Sequence, residues 1–147
     1  GLSPENVYPH ALEGVEKSYM WLTEKFDPKQ IAVVGDSAGG TLVAALLLKL
    51  HQNNLKELKP ASCVLSSPFV SMTHEASKEA AKYGENDPIL PMEHNGIDIV
   101  ASLYLTGKHI YSKEGGYLDE SQLDPKELQQ FNELRENPLV SPLLCED

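Results

Sequence analysis

Residues Ile31-Ala-Val-Val-Gly-Asp-Ser-Ala-Gly-Gly40, continuing as Thr41-Leu-Val-Ala-Ala-Leu-Leu-Leu-Lys-Leu50, decide how the rest of the chain is read. Ile31 to Val34 is a short β-branched apolar run, the pattern of a strand buried on both faces. Thr41 to Leu50 is rich in Leu and Ala, contains neither Pro nor Gly, and reads as a buried helix. Between them lies Gly35-x-Ser37-x-Gly39, so a strand enters a helix through G-x-S-x-G.

That placement is the nucleophile elbow, and its chemistry explains the residue types. Ser37 is expected on a sharp, strained turn with positive φ, its hydroxyl clear of the backbone. Gly35 and Gly39 flank it where side chains would clash as strand and helix cross, and Gly40 completes the small-residue run. The helix N-terminus aims free N–H groups at a developing oxyanion, and the N–H of Ala38 is one expected donor. Asp36 points away from Ser37 by strand alternation, so it is expected to brace the elbow through hydrogen bonds. At ordinary Gly and Ser frequencies a bare G-x-S-x-G arises by chance roughly once in twenty chains of this length. The strand before it and the helix after it remove most such matches. A nucleotide loop would need G-x-G-x-x-G or G-x-x-x-x-G-K-[ST], and the chain has neither.

Gly35-Asp-Ser-Ala-Gly-Gly40 resembles the serine signature of the hormone-sensitive-lipase branch of the α/β-hydrolases. Leu2-Ser-Pro-Glu5 with Pro9, then Ala11-Leu-Glu and Trp21-Leu22, is similar to the segment preceding it in that family. Ser66-Ser-Pro68, Asp87-Pro-Ile-Leu90, Tyr104-Leu105 and Asn137-Pro-Leu-Val-Ser-Pro-Leu143 match later landmarks, with Gly107 to Glu136 the least familiar part. The resemblance implies an α/β fold, a three-layer α/β/α sandwich with a mainly parallel sheet, of which this chain holds the central slice. It implies a serine carboxylester hydrolase whose Ser37 forms an acyl-enzyme. The substrate would be a small or medium ester with an apolar acyl or alcohol part, and no cofactor is implied. An amidase or deacetylase on the same serine, or a non-catalytic ligand-binding module, are the alternatives.

In α/β-hydrolases the triad runs Ser, then acid, then His. The resemblance puts the acid beyond Leu143 and the His later still, while Asp147 follows too soon to match. The His-Gly-Gly-Gly loop that supplies the other oxyanion donors would lie before Gly1. These 147 residues alone are therefore expected to be inactive, for want of a base. Of the five histidines, His94 with Asp98 or His109 with Asp119 respects the chain order loosely. His94 heads a helix and His109 sits in a loop, with nothing aiming either at Ser37; capping or surface roles suit the histidines better.

Length bounds the chain at one domain at most. Lys plus Arg is 12 against Asp plus Glu 22, a net charge of −10 that argues against nucleic acid and anionic membrane as partners. The expected partners are the ester substrate and either the remainder of its own chain or another copy of it. Cys63 and Cys145 have no metal or redox spacing, and Cys63, in an apolar run, is expected buried and reduced. Glu75, Glu79, Glu85 and Asp87 are scattered loop carboxylates without His or Cys spacing, so no metal is expected. With no signal peptide, N-x-[ST] sequon or membrane-length apolar run in the sequence, a cytoplasmic location is favoured over one set by a preceding leader or anchor.

In order, His10 to Phe26 reads as an amphipathic helix, with Ala11, Leu12, Val15, Tyr19, Trp21 and Leu22 inward. Ser37 or Ala38 to about Gln52 is the helix after the elbow, and Ala61 to Ser67 a second buried strand, together a parallel βαβ unit whose two strands are open on both edges. Helix is then expected within Glu75 to Lys82 and over Glu93 to Leu105, the latter with Ile97, Val100, Ala101 and Tyr104 on one face. Asp124-Pro125 starts another helix to about Leu134, and Asn137 to Leu144 reads as extended. Tyr8, Tyr19 and Trp21 read as packing residues. Phe69, Val70, Met72, Ile89, Leu90 and Met92 follow the second strand, where an apolar acyl or alcohol pocket would form.

Overall fold

The computed structural model describes residues 1–83, 86, 96–110 and 119–145. The chain divides into two compact units, one of Pro9–Val70 with Asn137–Asp147, the other of Gly1–Tyr8 with Ser71–Glu136.

The first unit carries the strands. Helix α1 (His10–Thr23) ends at a Glu24 cap, three residues earlier than its apolar pattern suggests, because Asp27 instead caps the 3₁₀ turn Pro28–Gln30 by accepting from Lys29 N–H at 2.9 Å. Strand β1 (Ala32–Asp36) leads through Ser37 into helix α2 (Ala38–Gln52). Strand β2 (Ser62–Ser66) then pairs parallel with β1, Ala32 opposite Ser62 and Asp36 opposite Ser66. A parallel pair needs a crossover, and α2 supplies it.

Tyr19, Ile31, Leu46 and Leu50 form the core of this unit, with Val15, Leu22, Val33, Leu55 and Leu58 packed against it. The Tyr19 hydroxyl donates to Leu58 C=O at 2.6 Å, so the buried phenol is satisfied; burial raises its pKa. Lys49 reaches Glu16 at 2.5 Å and ties α2 to α1. Trp21 is not part of this core: at 57% exposure it stands on the outer face of α1, whose buried residues are Leu12 and Tyr19.

The strands are not buried on both faces. Val34 is 68% and Val64 56% exposed, because α2 covers only the side to which Gly35 and Leu65 point. Cys63, although on the Leu65 side of β2, is exposed too, against the expectation of a buried thiol. Among the described residues the sheet has just these two strands, with edges open as the sequence suggests. The Asn137 to Leu144 stretch is turned rather than extended: Val140 and Ser141 N–H both donate to Asn137 C=O at 2.8 Å, and Pro142–Leu144 is a 3₁₀ turn.

The second unit is helical, with α3 (His74–Tyr83), α4 (Gly96–Thr106) and α5 (Pro125–Arg135). Asp124 and Glu127 form a capping box at the start of α5, and Pro125 occupies its first turn, so this start is set locally. Lys108 reaches Glu127 at 2.5 Å and holds that carboxyl below its usual range. Gly107, at φ +71°, ends α4, and a Cβ there would come within 2.9 Å of Pro4 C=O. Tyr8 meets Tyr104 edge-on at 5.9 Å, and burial, then the neighbouring Tyr8, pushes the Tyr104 phenol up to about 12.

The inward face of α4 differs from the apolar pattern. Ile97, Asp98, Ala101, Ser102 and Leu105 are buried, while Val100 is 42% exposed. Asp98 turns in because Arg135, fully buried, holds it at 2.6 Å. The same guanidinium donates through Nε to Met72 C=O at 2.5 Å and lies over the Phe131 ring at 5.3 Å. Among the described residues no helix is long and apolar enough to cross a membrane.

Candidate active site

Ser37 occupies the turn between β1 and α2, at φ 51° and ψ −117°. Glycine enters this region freely; a residue with a Cβ does so at about 1–3 kcal/mol and stays only where its surroundings over-determine it. Here they do. Ser37 N–H donates to Ser66 C=O at 2.9 Å, across from β2. Its carbonyl accepts from Thr41 N–H at 3.2 Å and from Phe69 N–H at 3.3 Å. Three backbone hydrogen bonds at about 1 kcal/mol each are enough to offset the strain.

The glycines around it are not equivalent. A Cβ on Gly35 would lie 2.3 Å from Gly39 C=O, so the strand can pass the first turn of α2 only without a side chain. A Cβ on Gly40 would meet Pro68 Cβ at 2.9 Å and Gly35 C=O at 3.3 Å. Gly39, expected to be needed for the same reason, would meet nothing within 4 Å among the described residues. The close crossing therefore rests on Gly35 and Gly40. The loop after β2 is drawn against the elbow by Pro68 on Gly40, with Ser67 itself at φ 40°.

The Ser37 side chain is exposed and makes no hydrogen bond among the described residues, nor does it cap α2. Ala38, Gly39 and Gly40 open α2, where N–H groups have no carbonyl one turn back, and Ala38 is exposed. The arrangement can present a hydroxyl nucleophile beside a backbone donor at the positive end of a helix. Asp36 is exposed and its carboxylate makes no hydrogen bond among the described residues; the elbow is held instead by backbone groups of Ser66, Thr41 and Phe69.

Of the histidines, His51 lies in the last turn of α2, about 20 Å along the helix from Ser37, and its Nδ1 faces Lys59 Nζ at 3.4 Å. His74 contacts Asn132 Oδ1 at 3.1 Å within the helical unit. The acids of the two loosely ordered pairs are engaged elsewhere: Asp98 is held by Arg135, and Asp119 by Gln122 and Ser121, which lower its pKa. His94, Glu85, Asp87, Ile89, Leu90, Met92 and Asp147 lie outside the described residues. Of the expected apolar pocket, Phe69 and Val70 are half-buried in the strand unit and Met72 is buried in the helical one. Among the described residues no three His, Cys, Asp or Glu side chains gather as a metal site.

The sequence could not have shown the roles of Thr41 and Phe69, because the partners that hold Ser37 are 28 residues apart. Ser66-Ser-Pro68 was the one available signal.

A protein family described as the alpha/beta hydrolase fold matches residues 1–134. An esterase of Acinetobacter venetianus is 34% identical over 94 residues, 63% of this chain and 30% of that protein. Mouse arylacetamide deacetylase is 40% identical over 97 residues, 61% of this chain and 24% of that protein. In structure the chain is similar to a thermostable carboxylesterase cloned from a metagenomic library, with a TM-score of 0.68 and 26% identity over 99% of this chain and 42% of that one. It is also similar to an esterase of the bacterial hormone-sensitive lipase family, with a TM-score of 0.63 and 29% identity over 97% of this chain and 38% of that one. The chain thus spans about a third or less of the curated relatives it matches.

Proposed function

We propose that this chain, which belongs to the α/β-hydrolase family, carries the nucleophile of a carboxylic ester hydrolase. Ser37 Oγ attacks the ester carbonyl, and the alcohol leaves as an acyl-enzyme forms on Ser37. Water then releases the acid. The N–H of Ala38 donates to the tetrahedral oxyanion. The histidine that takes the Ser37 proton, the acid that orients it and the remaining oxyanion donors belong to parts of the whole protein outside these 147 residues. The substrate is a small or medium ester with an apolar acyl or alcohol part.

The observation that carries this reading is the backbone of Ser37: an exposed hydroxyl on a residue held at φ 51° between a strand and a helix N-terminus. Such strain at a serine has no use in a simple strand–helix turn, where Gly would relieve it. The similarity to esterases supports the same reaction class. A second reading, amide deacetylation at the same serine, is supported by the 40% identity to mouse arylacetamide deacetylase.

The test is hydrolysis of p-nitrophenyl acetate and butyrate, beside an acetanilide, by the whole protein and its Ser37→Ala variant. Loss of roughly 10³-fold or more in kcat is expected on removing the nucleophile. Turnover that survives Ser37→Ala would overturn the proposal. Faster cleavage of the acetanilide than of either ester would move the assignment to the deacetylase.

A further inference from the structure

The Thr41 hydroxyl makes an unusual choice. A threonine in the first turn of a helix ordinarily bonds back to the carbonyl four residues earlier, here that of Ser37. That carbonyl lies 3.4 Å from Thr41 Oγ1, but the hydroxyl has one proton and its closer acceptor is Phe69 C=O, 28 residues away. Thr41 is buried and Phe69 half-buried, so this bond is largely shielded from water. Phe69 in turn donates its own N–H to Ser37 C=O at 3.3 Å. Thr41 therefore holds Ser37 C=O twice, directly through its N–H at 3.2 Å and indirectly through Phe69.

The consequence runs through one peptide plane. Ser37 C=O and Ala38 N–H belong to the same rigid unit and point to opposite sides of it. Fixing the carbonyl fixes the direction of the N–H. Ser66 C=O holds the preceding peptide through Ser37 N–H, so both planes flanking the serine are anchored to the segment running from the end of β2 to Phe69.

We propose that Thr41 is a positioning residue, whose hydroxyl bond to Phe69 C=O sets the aim of the Ala38 N–H at the oxyanion of Ser37. The proposal rests on the reading of Ser37 as the nucleophile. It makes the first turn of α2 and the Pro68–Phe69 loop one device rather than two packing elements. Ground-state ester binding does not depend on that aim, whereas the charge that develops in the transition state does.

The experiment compares Thr41→Val, which keeps the shape and loses the hydroxyl, with Thr41→Ser, which keeps the hydroxyl, in the whole protein. Expected for Thr41→Val is a fall in kcat of roughly tenfold with KM within about twofold, since a misaimed donor costs turnover rather than binding. Thr41→Ser should restore kcat to near wild type. The rate of Ser37 labelling by a fluorophosphonate, whose adduct carries the same oxyanion geometry, should fall with kcat. If the valine variant does not fold, Thr41→Ala carries the same expectation without a branched side chain. A folded variant with wild-type kcat, a rise in KM alone, or failure of Thr41→Ser to rescue overturns the brace and leaves the nucleophile standing. A wild-type protein that hydrolyses no ester and resists the fluorophosphonate overturns both.

Discussion

At the Ser37 turn the chain makes room by omission: Gly35 and Gly40 carry no side chain where backbone passes backbone, and hydrogen bonds between main-chain groups hold the strained serine. In the helical unit the opposite device is used. Arg135, one of the largest side chains available, is wholly buried and binds Asp98, Met72 C=O and the Phe131 ring together. The first device tolerates no added atom, and the second tolerates no lost charge. Each is costly to disturb for a different reason, steric in one case and electrostatic in the other.

The most damaging single change is expected in the helical unit. Arg135→Met strands the Asp98 carboxylate in a buried site and should cost about 3–5 kcal/mol. Adding Asp98→Leu should recover most of that loss, because no charge then remains buried. Urea unfolding of the single and double variants checks it; a double variant as unstable as the single would show that the cost is packing, not charge.

At the elbow, Gly35→Ala should cost about 1–3 kcal/mol through the clash with Gly39 C=O. Gly39→Ala should be neutral or stabilise by up to about 1 kcal/mol, since a helical glycine with open space around its Cβ gains from alanine. Thermal melts of the two variants side by side sharpen the comparison: equal losses would mean that the turn, not the 2.3 Å approach at Gly35, is what the glycines serve.

The smallest effect belongs to the uncovered sheet face. Val34→Thr and Val64→Thr should each change stability by less than about 0.5 kcal/mol, because both side chains stand in water. A loss of about 1.5 kcal/mol or more per site in the whole protein would show that another element covers this face there.

The elements that were legible have local signals. The β-branched run of β1, the Leu- and Ala-rich α2 and the Asp124-Pro125 start of α5 each fix their structure within a few residues. The misjudged positions all depend on partners. Val34 and Val64 have the composition of a doubly covered strand, yet among the described residues they stand exposed on the side that α2 does not cover, and Cys63 is exposed as well. Trp21 fits the apolar spacing of α1 yet points outward, since the core is closed by Tyr19 against Leu46 and Leu50. Val100 gives way on the inner face of α4 to Asp98, because the residue that claims that carboxylate arrives on α5.

By itself the sequence determined the strand–turn–helix at Ser37, the parallel pairing it demands, and which glycines stand near the serine, since spacing and side-chain size act over a few residues. Tertiary structure alone decided which of those glycines are indispensable, that Thr41 and Phe69 hold the serine, and that an arginine is buried at Asp98. Those outcomes depend on atoms brought together from distant parts of the chain, 28 residues apart at the elbow and 63 between Arg135 and Met72. A hydrogen bond or a clash is a matter of ångströms, and no local pattern carries that distance.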